Sequence, residues 1–261
     1  MLTAVIKKFS RMRRFYESLR PRDVFLVYFP RSGGFWLQSV FASHFQDKRE
    51  GPAARFSYED VERWTPDLNR AHYFQRQSLD AFAHLPDPRI FKVHAPPDRQ
   101  LARVIFLVRD PRDAFLSLYY YLLDDWPGFA LSLEYFVCHH RKWPMDWNAF
   151  TNKWLRIVQA RGHLLIKYED LMAAPHRWCR AAFAYAGVEA TDRELSAAID
   201  QAWRENLRRR TDLYDRLVKK GHGDLRDFRQ DGVGAHRHAF SEHVASIVRS
   251  RNREAMERLG Y

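Results

Sequence analysis

Four short apolar runs punctuate the chain, at Val24–Tyr28, Arg89–Val93, Val104–Val108 and His163–Tyr168. Runs of this length, bounded by polar turns, read as strands buried on both faces. Between them, apolar positions recur every three or four residues over Phe35–Phe45, Ala114–Leu123 and Asn148–Ala160, the spacing of helices with one buried stripe. Strands alternating with helices predict an α/β fold, a parallel sheet flanked by helices on both faces. Residues 46–88, richer in Pro, Asp and Arg, predict irregular structure with short helices and a lid-like role. Helical spacing returns from Pro175 to Gln201, broken near Gly187. The stretch from Leu207 to Gly234 is basic and holds four glycines, which predicts a mobile loop. His243 to Leu259 closes the chain as a helix.

Ahead of the first strand, Leu2, Val5, Ile6, Phe9, Met12, Tyr16 and Leu19 lie at helical spacing among basic residues, and Pro21 ends the pattern. Residues 1–20 are therefore expected to be a basic amphipathic helix or arm. Packing on the domain and contact with a membrane surface or partner both stay open. Residues 21–261 are expected to form a single domain.

Composition adds an electrostatic constraint. Lys and Arg number 43 against 32 Asp and Glu, a formal net charge of +11 over 261 residues. Such an excess calls for an anionic partner: nucleic acid, an anionic membrane or a phosphorylated small molecule. No apolar run approaches a membrane span, and Leu2 to Ile6 is too short for a signal-peptide core. Cys138 and Cys179 provide no disulfide framework, so a reducing, cytoplasmic setting is expected.

The chemistry gathers where the strands end. In open parallel sheets ligands bind at the C-terminal strand ends. The first strand runs into Arg31-Ser32-Gly33-Gly34 and then a helix, a loop whose backbone N–H groups can converge on a phosphate. Glycines there are expected to clear the way for close approach. Neither the Walker spacing nor G-x-G-x-x-G is present. The second strand ends in Lys92-Val93-His94, the third in Arg109-Asp110-Pro111-Arg112-Asp113 with Ser117 to follow, the fourth in Tyr168-Glu169-Asp170.

Taken in order, these segments resemble the 3′-phosphoadenosine 5′-phosphosulfate (PAPS) dependent sulfotransferases. Phe29-Pro30-Arg31-Ser32-Gly33-Gly34-Phe35-Trp36 is similar to that family's 5′-phosphosulfate loop. Ile105 to Ala114 with Ser117 resembles its 3′-phosphate motif, and Phe91-Lys92-Val93-His94 the segment bearing its catalytic histidine. Tyr168-Glu169-Asp170-Leu171 and Lys219-Lys220-Gly221-His222-Gly223-Asp224 resemble two further shared blocks. The matches run from about Val24 to the C-terminus.

The resemblance implies a role for each matched residue. Ser32, Gly33, Gly34 and Phe35 would offer backbone N–H groups to the 5′-phosphosulfate. Arg109 and Ser117 would grip the 3′-phosphate, joined by Lys219, Lys220 and Gly221 from a closing loop. Trp36 and Trp203 would sandwich the adenine, and Tyr168 would hydrogen-bond its edge. His94 would be the general base for in-line sulfuryl transfer to an acceptor hydroxyl. Arg31 and Lys92 would stabilise the departing adenosine 3′,5′-diphosphate, with no metal expected.

The acceptor is expected to be a small molecule or a carbohydrate. Trp126, Trp143, Trp147 and Trp154 would suit a ring or a sugar, or simply pack the core. A catalytically weak nucleotide-binding protein is the alternative, and a nucleic-acid binder ranks last. His139-His140 and His236-Arg237-His238 lack zinc-like spacing and read as surface or loop histidines. Arg208-Arg209-Arg210 reads as a solvated face, with a 3′-phosphate contact as the other option.

The departures from the family pattern are Arg31 for a common lysine, Phe35 for a threonine, and Leu225 for a tryptophan in a C-terminal loop one residue short. They bear on donor affinity more than on reaction class. Oligomeric state is left open.

Overall fold

The computed structural model describes residues 19–52, 56–68, 82–94, 101–126, 128–139, 146–220 and 232–261. The expected N-terminal helix lies almost wholly outside them, as do Gly221 and Leu225. Four parallel strands, β1 Val24–Tyr28, β2 Ile90–Val93, β3 Arg103–Val108 and β4 Leu164–Lys167, form one sheet in the order β2-β1-β3-β4. Each was legible as an apolar run, to within one or two residues.

Side chains alternate across the sheet, so each strand feeds two cores. Phe25, Val27, Phe91, Val104, Phe106 and Val108 face one core with Phe150 and Trp154. Val24, Leu26, Tyr28, Ile90, Ile105, Leu107 and Ile166 face the other with Trp36, Phe41 and Phe183. Helices cover both faces. The first core is closed by α3 Pro111–Asp125, α4 Leu133–His139, α5 Trp147–Arg161, α10 Glu242–Arg251 and α11 Arg253–Leu259. The second is closed by α1 Gly34–Glu50, α2 Tyr58–Trp64, α7 Pro175–Ala186 and α8 Asp192–Lys219. Two short helices, α6 Tyr168–Ala173 and α9 His236–Ala239, complete the set among the described residues. None of these helices is long and apolar enough to cross a membrane.

Helix ends follow local chemistry. Asp110 caps α3 by accepting from the Arg112 N–H at 2.9 Å, with Pro111 in the first turn. Thr191 and Glu194 make a reciprocal capping box on α8. Gly187 ends α7 in the left-handed region at φ 73°, the break expected there.

Two expectations are corrected. The stretch after Leu207 is not loop at its start: α8 continues to Lys219 as one helix of 28 residues, because Leu213 and Leu217 carry its buried stripe onward against Leu123. The single closing helix is two, interrupted at Asn252, whose side chain donates to the Val248 carbonyl at 2.8 Å.

One buried ion pair ties the neighbouring starts of β1 and β2. The Arg89 guanidinium donates through Nε to Asp23 Oδ1 at 2.8 Å and through Nη2 to Oδ2, and Asp23 also accepts from the Arg20 N–H at 2.7 Å. Asp23 is fully buried and Arg89 nearly so. Replacing Asp23→Ala strands a buried guanidinium and is expected to cost about 3–5 kcal/mol. Urea unfolding of the variant checks this; an unchanged midpoint would show that Arg89 escapes to solvent.

Candidate active site

The C-terminal edge of the sheet is built around the turn after β1. Ser32 N–H donates to the Phe29 carbonyl at 3.1 Å, and Trp36 N–H to the Gly33 carbonyl at 3.0 Å. Gly33 takes φ 83° and Arg31 φ 68°, an uncommon conformation for a residue with a side chain. The glycines are required, though not for the reason expected from sequence. A Cβ on Gly33 would lie 2.1 Å from the Tyr168 ring, and one on Gly34 would lie 2.0 Å from the Tyr28 ring. The protein's own aromatic rings occupy that space, and the peptide groups they press against are left to form the loop. No acidic side chain sits in the first turn of α1 and no side chain caps it. Beyond the Trp36 bond to Gly33, its first N–H groups and its dipole have no side chain to compensate them.

Arg31 ties this loop to the third strand end. Its carbonyl accepts from Arg109 Nη1 at 2.9 Å, and its own Nε donates to Ser117 Oγ at 3.2 Å. Arg109 is buried, lies with its guanidinium 4.6 Å from the Tyr168 ring centre, and donates through Nη2 to the Gly232 carbonyl at 2.6 Å. Arg109 makes no ion pair with the nearby Asp113. Asp113 instead accepts from the Gly234 N–H, the His236 N–H and the His236 ring. Burial works against ionisation of Asp113, but those bonds and the Arg109 charge hold its carboxyl below the usual range. His236 is thus a buried anchor of the segment that meets Arg109, not a surface histidine.

Burial, and then the charges of Arg209 and Arg109, lower Arg31 to about 10. Ser32 Oγ and Arg109 Nε are buried without a hydrogen-bond partner. Orphaned polar atoms beside an uncapped helix N-terminus and a cluster of guanidinium groups fit a multiply charged phosphate ligand.

At the end of β2, His94 Nδ1 lies 2.8 Å from the Tyr28 carbonyl. A carbonyl can only accept, so Nδ1 carries the proton and Nε2 presents a lone pair. Burial first, and the Lys92 charge second, push the imidazole down to about 4, so it is neutral at ordinary pH. Lys92 is not a free cation: its Nζ pairs with Asp67 Oδ2 at 2.7 Å. Asp67 went unrecognised in the sequence because it lies in the irregular stretch, where Pro66 and Leu68 extend the ladder beside β2 through bonds to the Lys92 backbone.

Other expected residues fall elsewhere. Trp36 and Trp203 touch each other, ring centres 5.2 Å apart at 57°. A base held face to face between two rings would separate them by roughly 7–8 Å, twice a carbon contact distance. The adenine sandwich is therefore not formed in this arrangement. Lys220 donates to the Asp124 carbonyl at 2.7 Å and pairs with its carboxylate, at the far end of α3 from Ser117. Lys219 ends α8 beside it, exposed, and the structure brings neither lysine to Arg109. Gly221 is outside the described residues. Trp147 and Trp154 are core residues, Trp126 is half-exposed, and Trp143 is not described. Cys138 and Cys179 are both free and buried. Among the described residues no three His, Cys, Asp or Glu side chains gather as a metal site.

Gly34→Ala places a methyl against a tyrosine whose hydroxyl is held by Gln38 at 2.6 Å, and is expected to lower stability by about 1–3 kcal/mol. Chemical denaturation tests it. An unaltered midpoint would mean that the Tyr28 ring yields at no cost.

A family model described as "Sulfotransferase domain" matches residues 21–260. Sulfotransferase 2B1 of Rattus norvegicus is 28% identical over 172 residues, covering 59% of this chain and 46% of the relative. Sulfotransferase 1A1 of Canis lupus familiaris is 22% identical over 191 residues, covering 64% and 60%. The chain thus spans about half the length of the relative named first. Among solved structures, retinol dehydratase in complex with retinol and PAP superposes with a TM-score of 0.62 at 17% identity, over 91% of this chain and 82% of that one. Mouse sulfotransferase SULT7A1 complexed with PAP gives 0.60 at 18%, over 91% and 84%. At these identities the superpositions speak for the fold.

Proposed function

The chain belongs to the sulfotransferase domain family, and on that premise we propose that it transfers a sulfuryl group from PAPS to the hydroxyl of a small-molecule acceptor. Residues 21–261 would act as one domain in doing so. The carrying observation is the bridge made by Arg31, which joins the two-glycine loop to Arg109 through its carbonyl and to Ser117 through its guanidinium. A donor with phosphate groups at both ends of a nucleoside needs two anion sites at a set separation. One residue bonded to both loops supplies that spacing.

In this reading the N–H groups of Gly33 to Phe35 hold the 5′-phosphosulfate, Ser32 joins through its unpartnered Oγ because its N–H is spent on the Phe29 carbonyl, and Arg109 with Ser117 holds the 3′-phosphate. Arg109 Nη2 bonds the Gly232 carbonyl, so the segment after residue 231 packs on the same guanidinium. Tyr168 stacks under Arg109 and seats Gly33, and so contributes shape to the pocket as well as a hydroxyl.

The small-molecule acceptor is favoured by the kinship alone: solved neighbours include one complexed with retinol and one with androsterone. His94 Nε2 accepts the acceptor's hydroxyl proton as its oxygen forms the new bond to sulfur. The bond from sulfur to the bridging phosphate oxygen breaks, and the electron pair leaves with adenosine 3′,5′-diphosphate. Lys92, aligned by Asp67, is the cation whose field reaches His94, and it offsets charge growing on the leaving oxygen. Arg31 contributes from the other side of the loop.

Calorimetric titration is expected to show adenosine 3′,5′-diphosphate binding tighter than ADP by roughly 10–100-fold, the worth of a charge-assisted contact pair. Equal affinities would sink the 3′-phosphate assignment.

With labelled PAPS and a panel of phenols and alcohols, His94→Ala is expected to lower kcat by about 10²–10⁴-fold while leaving diphosphate affinity intact. A base must be unprotonated, so activity is lost as pH falls through its pKa. With the imidazole held at about 4, kcat/KM is expected to stay level from pH 7 down to 5. An acid limb centred near 6.5 would show that His94 is not so depressed. Turnover that survives His94→Ala would remove it as the base.

A further inference from the structure

Helix α8 runs antiparallel along α1. Glu194 meets Lys48, Gln201 accepts from Ser43 Oγ at 2.7 Å, and Trp203 packs on Trp36. Continuing this line, Arg209 reaches Phe35, the second residue of α1. The spans agree: fifteen residues from Glu194 to Arg209 are about 22 Å of helix, and thirteen from Lys48 to Phe35 about 20 Å. The Arg209 guanidinium lies 4.1 Å from the Phe35 ring centre and 4.4 Å from that of Tyr58, and those two rings stack 5.5 Å apart. It is a half-buried, aromatic-held cation, not part of a solvated face. Arg208, its neighbour, is exposed and paired with Glu205 and Asp212, as a solvated residue should be.

Arg209 stands at the positive end of α1, beside Arg31, where each added cation is repelled. Elsewhere in the fold a buried or half-buried cation brings its own carboxylate: Arg89 has Asp23 at the opposite edge of the sheet, and at this edge Lys92 has Asp67 and Arg112 has Asp110. Among the described residues Arg31, Arg109 and Arg209 have none within ion-pair distance. Crowded, partly desolvated like charges without counter-ions gain stability where a ligand supplies the opposite charge. Arg109 and Ser117 account for one such anion at the end of β3. Arg209 lies instead over Phe35, the residue that follows the two glycines.

We propose that Arg209 is a further donor-binding residue, a cation held by Phe35 and Tyr58 that contacts the 5′-phosphosulfate end of PAPS. This rests on the donor reading above. It also gives Phe35 a use: at a position with no hydroxyl to offer, its ring seats a guanidinium that offers two or more N–H donors. Depression of the Arg31 pKa by Arg209, more than by Arg109, is in keeping with this placement.

The test crosses two ligands with two variants. Adenosine 3′,5′-diphosphate and adenosine 3′-monophosphate differ only in the 5′-phosphate. Calorimetry is run on the wild type, Arg209→Gln and Arg209→Lys, with thermal melts to confirm folding. Arg209→Gln is expected to weaken the diphosphate by roughly 10–100-fold and to leave the monophosphate unchanged. Arg209→Lys, which keeps the charge, should fall between, and it carries the test if the Gln variant unfolds. Equal weakening of both ligands, or of neither, overturns the assignment of Arg209 and leaves the donor reading standing. A wild type that does not prefer the diphosphate over ADP overturns both.

Discussion

Two tyrosine rings decide the shape of this sheet edge. Tyr28 ends β1 and Tyr168 begins α6, straight after β4, and each fills the space a side chain would need at one of two consecutive glycines. With those volumes occupied, the chain leaving the central strand must turn through a left-handed glycine, start a helix with no cap, and hold Arg31 at positive φ. The strain and the bare helix end are tolerated because the flanking core is dense on both faces of the sheet. Remove either ring and the turn has no reason to keep this form.

Electrostatically the edge is held in an unbalanced state. The cations that serve structure, Arg89 and Arg112, have their carboxylates, and Arg31, Arg109 and Arg209 near the turn do not. Such an arrangement lowers the stability of the folded chain without ligand and raises its affinity for a multiply charged anion, two readings of one coupling. The same logic separates the two halves of the proposed chemistry. Arg31, Arg109 and Arg209 gather where an anion would rest. Lys92 is held in place by Asp67 and stands beside a histidine kept neutral by burial, where a proton would be received.

Helix α8 links these parts over a distance no loop could hold. Its capping box starts it beside the end of α1, its stripe carries Trp203 and then Arg209 past the start of α1, and its last turn docks on α3 through Arg216 and Lys220 to Asp124. Eleven residues, about 16 Å, separate Arg209 from Lys220. One rigid element thereby places a cation at the turn and consigns the next conspicuous pair of lysines to the far side.

The sequence by itself determined the sheet and most of the residues proposed for the site. Apolar runs and helical spacing are local properties, so four strands and the longer flanking helices were readable, α4 and α6 being missed, and the strand-end residues His94, Lys92, Arg31, Arg109 and Ser117 followed from where the strands stop. Only the tertiary structure decided which of them lie together. Arg209 lies on the stripe of Leu195, Ala202, Leu213 and Leu217, and an arginine at such a position was the available signal. A basic triplet hides it, because charge runs usually face water. Asp67 and the tyrosine contacts carried no signal, since partners far apart in sequence leave no periodicity. Nor could spacing tell that Trp36 and Trp203 meet each other directly, or that Arg109 would leave Asp113 to His236. Pairing across a fold is set by which groups burial forces into one another's reach, and that is a property of packing, which the order of residues along the chain does not express.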